Sequence, residues 1–411
     1  MINIEHTLLF YVIIAIILFE VVFDFILGEL NRKNWCTTVP ALLKDLYTDE
    51  KFQKQKEYQL VNYRFGMFSA VISLIGTLLI LWFQGFKWLD LWIAQLQLHK
   101  YLHSITFFAV IGLAVMLFSL PFSIYDTFVI EQRFGFNKTT IKTFIFDLVK
   151  SLILGALLGG LILLIVLWFY DWAESMFWFY AWTAVSAFSL FVGFFYTTLI
   201  LPLFNKLTPL EEGELRNLIE EMSKKAGFPI KNVFVMDGSK RSTKSNAFFS
   251  GFGKNKRIVL FDTLINELSA EEITAVLAHE IGHFKMKHTI LSTVLGIIQT
   301  GLMLFLLGWF INNPALSQAL GVSDPSFHIG LLGFGLLYSP VSDFLGLGMT
   351  ILSRKWEFQA DAFASKHSNS TALASALKKI SASSFSNPTP HPLYVFFNYS
   401  HPPLLKRLEK L

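Results

Sequence analysis

Long apolar runs separated by short polar stretches dominate the pattern of this chain. Runs over 8–30, 65–83, 104–125, 148–170, 177–201, 289–311 and 329–352 are each apolar enough to cross a hydrocarbon core, which takes roughly 20 residues of helix. They predict about seven spanning helices. Two polar segments, 205–288 and 354–411, break this series. In the first, Val233–Met236, 246–249 and 256–261 read as strands, with a glycine turn at 251–253 joining the last two. Further on, Ser269 followed by Glu272 reads as a capping box, and Ile273, Val276, Leu277 and Ile281 then give a helix its apolar face. The stretch 31–56 reads as a surface-lying helix opened at Pro40. The predicted architecture is a mainly α, polytopic membrane protein with a small α+β unit on one side. Its parts are a membrane region over 1–204 with five spans, a polar segment over 205–288, two further spans over 289–353, and a polar segment over 354–411.

Composition supports a bilayer as the solvent. Apolar residues make up 53% of the chain and charged residues 16%, against about 25% charged in soluble domains. Mean hydropathy is +0.51. The single cysteine, Cys36, excludes an intramolecular disulfide framework and any cysteine-rich metal module. The first run carries Glu20 and Asp24 and lacks a basic leader and a small-residue cleavage site, so it reads as a span rather than a cleaved signal. Lys and Arg cluster after the first, third and fifth runs and in the C-terminal piece, while the alternate connections are poor in them. The positive-inside rule then puts the basic side in the cytoplasm, with the N-terminus out and the C-terminus in. A bacterial inner membrane and the endoplasmic reticulum both fit. Glu20, Asp24 and Asp343 are costly in lipid and should face the interior or water. The formal charge of +4 is modest, and no nucleic-acid partner is expected.

The chemistry concentrates in His279-Glu280-Ile281-Gly282-His283. On a helix, residues four apart share a face, so His279 and His283 can grip one metal ion. Glu280 projects about 100° around the axis from His279. It can reach a water at the metal without being a ligand, which is the arrangement of zinc proteases with the Glu as general base. A catalytic zinc takes a third protein ligand. His288 is a poor choice, because nine residues of unbroken helix carry it to the opposite face. Arg354, Glu357 and Asp361 fall on one stripe of a later helix. Spacing alone allows either a ligand with a supporting carboxylate or a solvated, salt-bridged face. The strands around Asn246 are open to two readings as well: an edge that holds a peptide through its backbone, or a hairpin that closes the core. His401, beside Pro402 and Pro403, is a loop histidine suited to an oxyanion or merely exposed.

Taken together, these stretches resemble the type I CAAX prenyl proteases, integral-membrane zinc metalloproteases. The resemblance rests on an ordered set: Tyr125-Asp126-Thr127-Phe128-Val129-Ile130-Glu131, Phe134-Gly135-Phe136-Asn137-Lys138, Pro202-Leu203-Phe204-Asn205-Lys206, Asp237-Gly238-Ser239-Lys240-Arg241-Ser242 and Ser245-Asn246-Ala247-Phe248. It continues through Arg257-Ile258-Val259-Leu260-Phe261-Asp262-Thr263-Leu264, the histidine motif, Glu357-Phe358-Gln359-Ala360-Asp361 and Ser400-His401-Pro402-Pro403. It implies seven helices around a hydrated chamber and one Zn²⁺ per chain on His279, His283 and Glu357. Glu280 is implied as base and acid, and Asp361 as support behind a ligand. Asn246 and His401 are implied to hold the peptide backbone or stabilise the oxyanion, with Ala247 and Phe248 beside Asn246 as substrate contacts. Arg354 and Arg407 are implied as structural or substrate-carboxylate contacts. The implied substrates are prenylated or other membrane-associated peptides.

Three rivals share features with this reading. A heat-shock-type quality-control protease carries the same catalytic motifs but typically lacks the 40–62 and 125–138 regions. An intramembrane protease is disfavoured by Lys285, Lys287 and His288 flanking the motif. A non-enzymatic scaffold with a relict metal site is disfavoured by the intact His279, Glu280, His283 and Glu357 set.

Overall fold

The computed structural model describes residues 7–228, 232–250 and 257–411. Seven helices in it are long and apolar enough to cross a membrane: Leu8–Lys33, Asp49–Trp82, Lys100–Phe134, Ile141–Trp172, Glu174–Phe204, His288–Phe310 and Phe327–His367. Their outer faces present large apolar side chains such as Phe344, Trp309 and Leu157, which are 65–75% exposed. Such a surface is stable only against lipid.

Two helix ends differ from the sequence reading. The stretch 31–56 is not one surface helix. The first span runs on to Lys33, a short 3₁₀ turn Ala41–Leu43 follows Pro40, and Thr48 caps a new helix that continues unbroken into the second span. Pro40 opens only this single turn and not a long helix, because Leu43 and Tyr47 turn inward against Phe52 and the C-terminal Leu404 and Leu405. The seventh span also runs on past residue 352 to His367, so Glu357 and Asp361 ride on the same rod that crosses the membrane.

The polar segments form one unit around a four-stranded sheet in the order β1-β2-β4-β3, with β1 Leu207–Pro209, β2 Val233–Met236, β3 Ala247–Ser250 and β4 Arg257–Phe261. The predicted turn at 251–253 and Lys256 lie outside the described residues. β2 and β4 run parallel, and β1 and β3 flank them antiparallel. β4 is central, and Ile258, Val259 and Leu260 are wholly buried. Among the described residues β3 pairs only with β4, leaving an edge.

Against this sheet packs the helix Ala270–Lys285, which carries the histidine motif. Ser269 and Glu272 form the capping box on its N-terminus. The Glu272 carboxylate also accepts from Ser375 Oγ at 2.6 Å and from Lys379 Nζ at 2.8 Å, tying this helix to Ser370–Ser383. Burial raises the Glu272 pKa, but Lys379, Ser375 and the Ser269 N–H outweigh it and hold the carboxyl below its usual range. Its stabilisation is therefore present above the unfolded value near 4.5 and lost as pH falls through the lower folded value. Glu272→Gln keeps an acceptor for the Ser269 N–H but loses the charge paired with Lys379, and is expected to cost about 1–2 kcal/mol. Its melting midpoint in detergent should fall less on acidification than that of the wild type.

Ion pairs tie the unit to the membrane region. Arg241 donates two bonds to Asp147, at 2.7 and 3.0 Å, and a third to the Phe204 carbonyl. Lys244 Nζ lies 2.9 Å from Glu131 and 3.0 Å from the Tyr58 hydroxyl, beside Phe136. Glu131 closes a π-helical turn, Asp126–Glu131, at the end of the third span.

Candidate metal centre

Glycine at 282 is what lets two helices build one site. A Cβ there would stand 3.1 Å from Phe363 Cβ and 3.2 Å from Ala360 Cα. The helix Ala270–Lys285 thus lies nearly against the backbone of Phe327–His367, and the His279–His283 face meets the stripe that carries Glu357 and Asp361. His279 Nε2 and His283 Nε2 are 3.2 Å apart. Glu357 presents Oε1 3.2 Å from His283 Nε2 and Oε2 3.5 Å from His279 Nε2.

These separations fit a metal. Ligands about 2.0–2.1 Å from one tetrahedral cation stand about 3.4 Å apart. Glu357 is 3% exposed, yet its Oε2 has no hydrogen-bond donor, although Arg407 Nη1 lies 3.3 Å away. A buried carboxylate oxygen without a donor is costly unless a cation satisfies it. Two imidazoles and a carboxylate are the donor set of a catalytic zinc.

Behind these three candidate ligands lies a set of partners that orients the two imidazoles. His279 Nδ1 is 2.9 Å from Asp361 Oδ1. Asp361 in turn takes a bidentate pair from the buried Arg407, Nε at 2.9 Å and Nη2 at 2.7 Å. Burial opposes protonation of His279, but Asp361 and Glu357 lift its pKa to about 9. A cation bound there therefore displaces a proton. His283 Nδ1 is 3.2 Å from His288 Nδ1, and His288 Nε2 is 3.0 Å from Gln359 Oε1. With Gln359 accepting from His288 Nε2–H, His288 Nδ1 is the acceptor for His283 Nδ1–H, and the Nε2 of His283 faces Glu357. His288 lies outside the His279, His283 and Glu357 group, but not on the opposite face of an unbroken helix. The helix ends at Lys285, Lys287 takes a positive φ of 62°, and the turn brings His288 back under His283.

A cavity of 560 Å³ opens over this cluster. Asn246, Ala247, Phe248, Glu280, His401 and Arg407 all contribute to its wall along with His279, His283 and Glu357. Burial pushes the Glu280 carboxyl up, the two imidazoles oppose this, and Glu357 adds to it. His401 is exposed at the mouth, its Nε2 3.2 Å from Glu357 Oε1 and its Nδ1 2.9 Å from Ser400 Oγ. Asn246 sits at the start of β3, its own carbonyl accepting from Phe261 N–H and its side-chain oxygen from Ala247 N–H. Arg354 is not in this wall. Its guanidinium donates to the Val395 and Tyr399 carbonyls and so holds the loop that carries His401.

Comparison with known proteins finds similarity over most of the chain. Residues 31–206 match the family described as CAAX prenyl protease N-terminal, five membrane helices, and residues 209–411 match peptidase family M48. A CAAX prenyl protease 1 homolog of Oryza sativa subsp. japonica is 38% identical, the match covering 91% of this chain and 90% of that one. CAAX prenyl protease 1 of Saccharomyces cerevisiae is 35% identical, with 91% and 88% covered. The crystal structure of S. mikatae Ste24p superposes with a TM-score of 0.93 at 33% identity, over 99% of each chain. A membrane bundle, a two-helix ligand cluster and these matches make the chain a multi-pass membrane metallopeptidase, and it belongs to the CAAX prenyl protease 1 family within peptidase family M48.

Proposed function

We propose that the chain is a zinc endopeptidase that removes the C-terminal tripeptide from prenylated CAAX proteins, with its site facing the cytoplasm. The observation that carries this reading is the free edge of β3 beside the ligand cluster, in a cavity bounded by helices that span the bilayer. An extended peptide can add to that edge by backbone hydrogen bonds. The prenyl group can meanwhile stay among the apolar helices, so the lipid places the scissile bond. His279, His283 and Glu357 would hold the ion, and a bound ion would supply Lewis-acid activation of the attacking water and the scissile carbonyl. Glu280 takes the proton at its carboxylate and delivers it to the leaving amine. His401 and Asn246 steady the charge that develops on the carbonyl oxygen, while Ala247 and Phe248 line the peptide path. Arg407 acts through Asp361 and His279, and Arg354 through the His401 loop. The match of 31–206 to the CAAX-type N-terminal helices favours this substrate class over the quality-control alternative. The charge pattern of the connections supports an outward N-terminus and a cytoplasmic site.

Purified protein in detergent should cleave a farnesylated CAAX peptide faster than its unprenylated form. A zinc chelator should abolish the activity and added Zn²⁺ should restore it. Cleavage that ignores the chelator would sink the zinc mechanism, and equal rates on both peptides would sink the prenyl-specific substrate.

A further inference from the structure

A second group of metal-type ligands lies at the other end of the bundle. Asp90, on the short helix Gly85–Ala94 after the second span, meets His103 at the start of the third span and His328 at the start of the seventh. Asp90 Oδ1 is 2.7 Å from His103 Nε2 and 2.8 Å from His328 Nε2. The two imidazoles stack at 4.9 Å, tilted by 24°. His328 is 5% exposed and packs against Phe107. Glu357 lies about 44 Å farther along the same helix at 1.5 Å per residue, so this cluster shares nothing with the peptidase site.

The hydrogen bonding orients His328 toward a cation. Ser104 donates its hydroxyl to the Lys100 carbonyl at 3.3 Å and lies 3.1 Å from His328 Nδ1. With its proton so used, Ser104 accepts from Nδ1–H, and the Nε2 lone pair faces the Asp90 carboxylate. Two electron-rich atoms at that separation need a positive charge between or beside them. The peptidase cluster follows the same pattern, each Nδ1 engaged by a partner and each Nε2 turned to a carboxylate. Ser326 Oγ, 3.3 Å from His328 Nε2, adds an oxygen at the rim. Neighbouring cations are already engaged: Lys100 with Asp171, and Lys87 with Gln84 at 3.2 Å. A cavity of 510 Å³ reaches all three ligand residues, leaving room for water as a fourth ligand.

We propose that Asp90, His103 and His328 form a second cation site, taking a divalent first-row transition ion. Two imidazoles and one carboxylate suit such an ion rather than Mg²⁺ or Ca²⁺, which prefer all-oxygen sets. Binding requires the Asp90 oxygen to part from each Nε2 by roughly half an ångström, to the ligand spacing expected of a tetrahedral ion. The bound ion links the connection after the second span to the starts of the third and seventh.

Zn²⁺ is the probe. Protein in detergent is dialysed to equilibrium against a buffered micromolar free Zn²⁺ and its metal content measured. Wild type should hold two ions per chain, His103→Gln and Asp90→Asn one each, Glu357→Gln one, and Asp90→Asn with Glu357→Gln none. Retention of the peptidase ion shows that the His103 and Asp90 variants have folded. Substitution with Co²⁺ should give two sets of visible bands in wild type and one in His103→Gln. One ion in wild type, with Asp90 merely bridging protonated histidines, overturns the proposal. So do two ions in either single variant at Asp90 or His103.

Discussion

Glu280→Gln is expected to lower kcat on a prenylated peptide by about 10²–10⁴-fold, the range for loss of a positioned general base. Metal content should stay that of wild type. The amide keeps the shape of the side chain in the cavity wall but cannot take a proton. His279, His283 and Glu357 keep their partners, and the β3 edge that would bind substrate is untouched. KM should therefore move little, because the lost interaction belongs to the transition state. Burial and Glu357 raise the Glu280 pKa, so the acid limb of the pH profile should carry this group in the wild type and lose it in the residual activity of the variant. Turnover near that of wild type would reassign the base to another group at the cavity, with His401 the first to test.

The span count and the element carrying the histidine motif were legible because both depend on local pattern. Apolar length predicts a spanning helix, and Ser269 with Glu272 marks a helix start, and the structure has both. The strands read at Val233–Met236, 246–249 and 256–261 followed from short β-branched or aromatic runs, and the structure has them at Val233–Met236, Ala247–Ser250 and Arg257–Phe261. β1, only Leu207–Pro209, has too few residues to give any period and forms because β2 offers it an edge. The partners behind the ligands were harder to read. Arg407 approaches Asp361 across 46 positions, and no spacing rule relates them. His288 escaped for a sharper reason: a left-handed residue at Lys287 ends one helix and starts another, and the sequence there holds no glycine or proline to signal it. Gly282 was visible in the motif, but its purpose, admitting the backbone of the Glu357 helix, is a property of two helices together.

Asp361→Asn should weaken metal binding by about 10–100-fold, the usual cost of losing the group that orients a ligating histidine. An amide oxygen can still accept from His279 Nδ1–H, but it no longer supports the charge on the ring. It also strands Arg407, which is 8% exposed and otherwise lies 3.3 Å from Glu357 Oε2. A buried guanidinium without its bidentate partner is expected to cost about 3–5 kcal/mol of stability, and its pull on Glu357 competes with the metal for that carboxylate. The two effects separate in a double variant. Asp361→Asn combined with Arg407→Met removes the stranded charge, so it should regain much of the lost melting temperature while its Zn²⁺ affinity stays low, because His279 still lacks its carboxylate. If the double variant is no more stable than Asp361→Asn alone, the uncompensated guanidinium is not the source of the loss. If Zn²⁺ affinity in Asp361→Asn equals that of wild type, Asp361 has no part in holding the ligand.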